Sequence, residues 1–160
     1  MTLSIRDAVP ADAAVILRFI TELAVYEKAG HEVEATVESL TESLFGPSSV
    51  SRAIICETAD GTAIGFAVWF KSFSTWQAKN GLYLEDLYVT PEHRGSGAGR
   101  RMLRHLARLA VSEGCGRFEW SVLDWNTPAI RVYEAIGAEP QSEWVRYRLS
   151  GETLRAFAEG

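Results

Sequence analysis

Two adjacent carboxylates, Glu85 and Asp86, stand shortly before a glycine-rich loop, Arg94-Gly95-Ser96-Gly97-Ala98-Gly99, in the stretch YLEDLYVTPEHRGSGAGRRML over residues 83–103. Carboxylates take up a proton or attract a cation, and such a loop binds an anion. Three glycines in five positions let backbone N–H groups point into one space where a following helix supplies partial positive charge. A pyrophosphate fits there, although the same letters also suit a plain tight turn. The loop lacks the Gly-Lys-Ser/Thr ending of a triphosphate loop, and the strand before it is not the opening strand of a dinucleotide fold.

The elements around this stretch follow from its pattern. Leu84, Leu87 and Val89 form a short apolar strand that Glu85 and Asp86 interrupt. Neighbours on a strand face opposite ways, so the two carboxylates diverge and at least one is partly buried. Pro91 stops the strand, and Met102, Leu106 and Leu109 share one face of the helix after the loop, which ends near Gly114.

Upstream, the alternation predicts a strand over 3–6 and a helix capped by Asp12 that runs to about Lys28, with Gly30 as its stop. A second helix starts at Thr36 and ends at Gly46-Pro47. Strands over 51–57 and 62–70 are joined by the hairpin signal Asp60-Gly61, and 72–81 reads as a polar loop holding Trp76. Downstream, 117–123 is a strand, Thr127 caps a helix over 129–136 that stops at Gly137, 144–149 is a last strand, and 152–158 a short terminal helix. The order β-α-α-β-β-β-α-β-α-β predicts an α/β (α+β) layer structure, a mainly antiparallel sheet flanked by helices, in one domain over 1–160.

A formal net charge of −5 argues against nucleic acid as partner and permits a cationic substrate. No apolar run reaches membrane-spanning length and no signal peptide opens the chain, which places it in the cytoplasm without a membrane partner. Cys56 and Cys115 read as buried free thiols, and His31, His93 and His105 share no metal-ligand spacing. No Cys or Ser stands in a nucleophile setting with a His, so a covalent relay has no candidate.

The Arg-x-x-Gly-x-Gly loop after an acidic strand resembles the acetyl-coenzyme A loop of the GCN5-related N-acetyltransferases (GNAT). VLDWNTPAIRVYEAIGA is similar to the acceptor-side strand, Asn turn and Tyr helix of the same enzymes. Together, LAVYEK, FSTW, YLEDLYV, RGSGAG, VLDWN and the Tyr helix resemble the spermidine/spermine acetyltransferase-like family over most of the chain. FSTW and VLDWN are nearer the thialysine N-epsilon-acetyltransferase branch.

The resemblance implies the GNAT fold and acetyl transfer from acetyl-coenzyme A to a primary amine by direct attack, without a metal. An amine of pKa about 10.4 is mostly protonated at neutral pH, so a base is useful. By resemblance Glu85 receives that proton, and Tyr133 gives one to the departing thiolate. On periodicity alone, Tyr133 beside Ile130 and Ile136 reads as a core residue. The cofactor-binding set implied is Leu87, Tyr88, Val89, Arg94, Gly95, Ser96, Gly97, Ala98, Gly99, Arg100, Asn126 and Tyr133. The acceptor set implied is Tyr26, Glu27, Trp76, Glu85, Asp86 and Glu143. Ser74 stands where polyamine enzymes place an acid, which favours a smaller, lysine-like acceptor over spermidine. The family also implies a homodimer. Competing readings are a polyamine or a peptide and protein amine acetyltransferase and, outside enzymes, a coenzyme A-binding sensor.

Overall fold

The computed structural model describes residues 2–160. The chain divides into two compact units, Met1–Asp124 and Trp125–Gly160. In the first, β1 (Leu3–Asp7) leads into α1 (Ala13–Tyr26) and α2 (Val37–Phe45). Then come β2 (Ser51–Thr58), β3 (Ala63–Ser74), β4 (Lys79–Val89), α3 (Ala98–Ser112) and β5 (Phe118–Trp120). The five strands make one sheet in chain order, antiparallel except for β4 and β5. Parallel neighbours need a long crossover, and α3 is that crossover. The mixed, mainly antiparallel sheet with flanking helices is the architecture expected.

Alternation along the strands assigns the helices to faces. Ile55, Phe66 and Tyr88 are lateral neighbours that turn toward Ile16 and Phe19 of α1, with Leu40 and Leu44 of α2 packed against the same cluster. Phe19 stacks on Phe66 with ring centroids 5.7 Å apart. Each such fully buried side chain contributes roughly 1.5–3 kcal/mol relative to exposure. Leu87 and Val89 point the other way, against Gly99 near the start of α3.

Several local expectations change. Asp12 does not cap α1: its carboxylate takes Arg6 at 2.7 Å and the Val9 N–H at 2.7 Å, tying β1 to the helix entry. A strong cation beside it outcompetes a helix N–H for those oxygens. α1 ends at Tyr26, before Lys28, because Lys28 turns to φ 62°. The polar stretch 72–81 is mostly strand: Lys71 pairs with Leu82, Ser72 with Gly81, Phe73 with Asn80 and Ser74 with Lys79, leaving a tight turn that holds Trp76. Backbone pairing with β4 carries these residues through despite their polarity. Thr36 does cap α2, accepting from the Ser39 N–H at 3.1 Å.

The second unit holds α4 (Thr127–Ala135) and α5 (Gly151–Glu159). Asn126, not Thr127, is the N-cap residue, its carbonyl accepting from the Ile130 N–H at 3.1 Å, with Pro128 in the first turn. The strand expected over 144–149 is absent. A strand exists by its ladder, and the regular elements of this unit are helices, which offer no edge to pair with. Among the described residues no helix is long and apolar enough to cross a membrane.

Candidate functional site

A β-bulge organises the centre of β4. Asp86 is opposite Val68 and Leu84 opposite Trp69, so Glu85 is the extra residue with no partner on β3. A bulge re-aims side chains. Glu85 stands exposed, whereas Asp86 is half-buried on the face that carries Tyr88. β5 pairs with β4 only at Leu82, Tyr83 and Leu84, so residues 85–89 run on past the last β5 partner. The β4–β5 ladder therefore ends beside the bulge, and residues 85–89 have no β5 partner for their backbone groups on that side.

Asp86 does not share its setting alone. Its carboxyl is pushed up to about 6, first by burial and then by the charges of Glu85 and Glu27. Glu27 is the C-cap of α1, where the helix dipole disfavours a negative charge, and desolvation raises its carboxyl too. Three carboxylates thus share one field. Such an arrangement is costly to the fold and favourable to a cation.

Beside them Tyr88, buried on β4, donates its hydroxyl to Glu22 Oε2 of α1 at 2.6 Å. Burial first, and that carboxylate second, push its phenol up to about 12. The Arg94 guanidinium lies 5.0 Å from the centre of the Tyr26 ring and 5.7 Å from that of Tyr88, and its Nε donates to the Val89 carbonyl at 3.2 Å. Arg94 heads the glycine loop and Tyr26 ends α1. This side chain therefore joins the two regions.

The loop itself has the form an anion site needs. Gly95 (φ 78°) and Gly97 (φ 85°) take left-handed backbone that other L-residues adopt only with strain. No side chain caps α3, so the first-turn N–H groups of Ala98, Gly99 and Arg100 keep their donors for a ligand at the N-terminus of a 15-residue helix. The Ser96 N–H is committed to the His93 carbonyl at 3.3 Å. An uncapped N-terminus behind a left-handed Gly, next to a parted strand edge at Leu87, Tyr88 and Val89, fits a pyrophosphate with a pantetheine arm.

Of the expected acceptor residues, Tyr26, Glu27, Glu85 and Asp86 fall in this region. Trp76 does not: it occupies the β3–β4 turn, and β4 rises about 20 Å from Lys79 to Glu85. Ser74 is at the same end, buried, its Oγ accepting from the Gln77 N–H at 3.3 Å, so it serves the turn. Asn126, Tyr133 and Glu143 belong to the second unit, Asn126 at the start of α4 and Tyr133 within it. The Arg94 bridge and the Tyr88–Glu22 bond were not foreseen. Helical spacing could have placed Glu22 and Tyr26 on one face of α1, four residues apart.

The acetyltransferase (GNAT) family model matches residues 19–138. The thialysine N-epsilon-acetyltransferase of Bos taurus is 37% identical over 96% of both chains. The L-ornithine N5-acetyltransferase of Arabidopsis thaliana is 34% identical over 79% of this chain and 52% of its own. Among solved structures, an integron cassette protein from the mobile metagenome of V. cholerae superposes with a TM-score of 0.82 at 26% identity, over 100% of this chain and 99% of the other.

Proposed function

The chain belongs to the acetyltransferase (GNAT) family, whose members draw acetyl groups from acetyl-coenzyme A, and we propose that its acceptor is the terminal primary amine of a small cation such as thialysine or a related diamine. The observation that carries this reading is the gathering of Glu27, Glu85 and Asp86 at the β4 bulge, with Tyr26 next to Glu27 at the end of α1. Aromatic and acidic groups together suit an aminoalkyl cation through cation–π and charge pairing. Relatives named for thialysine and for L-ornithine support it, since both compounds end in such an amine.

Acetyl-coenzyme A, when bound, supplies the thioester that the amine attacks. In the proposed mechanism the chain first makes the amine a nucleophile. Freeing a lone pair from an amine of pKa about 10.4 at neutral pH costs about 4–5 kcal/mol. Glu85 at the bulge, directly or through water, accepts that proton while Asp86 and Glu27 hold the cation before it is lost. The backbone of Leu87, Tyr88 and Val89, on the strand edge beyond β5, holds the pantetheine arm and polarises the carbonyl. The N–H groups of Ala98, Gly99 and Arg100, with Gly95, Ser96, Gly97 and the Arg94 cation, bind the pyrophosphate. Tyr133 as the acid for the thiolate, Asn126 as a contact to the arm and Glu143 as an acceptor contact rest on the resemblance of the VLDWN segment and Tyr helix. The proposal treats both units as one N-acetyltransferase domain. The protein is also read as cytoplasmic and, on the same resemblance, as homodimeric, the latter checked by sedimentation equilibrium.

The test is thiol release from acetyl-coenzyme A with thialysine, lysine, putrescine, spermidine and a lysine peptide, using wild type and Tyr133→Phe. Fastest turnover on thialysine or another small amine, with a loss of about 10²-fold in the variant, is expected. Preference for spermidine or the peptide would overturn the acceptor class. Coenzyme A binding without turnover on any amine would favour a sensor.

A further inference from the structure

The cation of the cofactor loop stands on the aromatic face of the acceptor side. Arg94 precedes Gly95, and its guanidinium lies 5.0 Å from the centre of the Tyr26 ring. Tyr26 is the last residue of α1, and the next, Glu27, acts on Asp86 through its charge. An aminoalkyl cation drawn to these carboxylates would use the aromatic surface that Arg94 covers, and two cations repel on one ring. Arg94 has a second claim on it, because it also opens the anion-binding loop. A charge-assisted, two-pronged pair to a phosphate outweighs an exposed cation–π contact.

We infer that Arg94 is a positioning residue that couples the two substrates, covering the Tyr26 ring until a pyrophosphate draws it to the loop and gives that ring to the cationic acceptor. The inference rests on the reading of cofactor and acceptor above. Coupling is reciprocal, so whatever the cofactor does for the amine through Tyr26, losing the Tyr26 ring does for the cofactor. Tyr88 gives the guanidinium a fixed second wall, since its hydroxyl is tied to Glu22 and its ring packs 5.7 Å from Phe19. Movement of Arg94 is therefore read at Tyr26.

Calorimetric titration with coenzyme A, which needs no turnover, tests this on wild type, Tyr26→Leu, Tyr26→Phe, Arg94→Gln and the Tyr26→Leu, Arg94→Gln double variant. Removing the ring should tighten coenzyme A binding about 2- to 5-fold, the span of an exposed cation–π contact. Tyr26→Phe, which keeps the ring, should match wild type, and Tyr26→Leu should change nothing once Arg94 is Gln. Titrated with thialysine, wild type should bind about 2- to 5-fold tighter with coenzyme A present, and the double variant equally with and without it. Unchanged or weaker coenzyme A binding by Tyr26→Leu, or a gain that persists in the Arg94→Gln background, would overturn the coupling while leaving the acetyltransferase reading in place. Failure of wild type to bind coenzyme A would end both.

Discussion

Asp86 is a group whose ionisation the fold resists, and that has a sign. Its carboxyl, pushed up to about 6 by burial and by Glu85 and Glu27, holds its proton in the folded protein where the unfolded chain has released it. The folded state therefore binds more protons between about pH 4 and 6, and stability from this group declines as pH rises through that window. Asp86→Asn should make the protein more stable at pH 8 by on the order of 1–2 kcal/mol, after allowance for solvent at a half-buried site, and leave it nearly unchanged at pH 4. Urea melts at the two pH values check this. The same variant should raise the KM for a diamine at pH 8, since the cation loses a partner. A fold that carries such a carboxyl at a cost in stability is consistent with the cation-binding role proposed for it.

At the scale of elements, β1 and the entry to α1 are held together by Arg6. Its guanidinium pairs with Asp12 at 2.7 Å and with Glu57 of β2 at 2.7 Å, and the Asp12 carboxylate also accepts from the Val9 N–H. The Arg6 hydrogen bond holds the Asp12 carboxyl below its usual range. The sign is opposite to that at Asp86: this stability is present above the unfolded carboxylate pKa, near 4, and is lost as pH falls below it. Asp12→Ala should cost about 1–3 kcal/mol at pH 7 and progressively less as pH falls below about 4, measured by denaturant melts. Asp12 looks like a cap because capping residues and ion-pair partners are the same residue types, and Arg6 is the nearer competitor. The bulge at Glu85 was half legible: adjacent carboxylates in an apolar strand announce broken alternation, but which residue is extra depends on the register of β3. Residues 144–149 have the letters of a strand, yet a ladder needs an edge that no local pattern specifies.

At the scale of the molecule, the element order from β1 to β5 and the Gly loop at the N-terminus of α3 were legible, because each follows from short-range spacing of apolar residues, Gly and Pro, whereas the strand order and the parallel β4–β5 pair rest on long-range pairing that no local pattern specifies. The carboxylate cluster was legible only as separate residues. Glu27 and Asp86 share a field through the packing of α1 on β4, a contact between distant parts of the chain. Trp76 shows the reverse, a residue expected at the acceptor that β4 carries to the far turn. A net charge of −5, with carboxylates gathered where the strands part, suits a cationic acceptor drawn in by charge, with rates that fall as salt rises. If the β4 bulge is where an amine is bound and deprotonated, Glu85→Gln removes the proton acceptor itself. At saturating acetyl-coenzyme A and pH 7, kcat/KM for thialysine should fall about 10²-fold or more, with coenzyme A affinity unchanged. A value within about threefold of wild type would contradict the account, because it would put the proton acceptor somewhere other than the bulge.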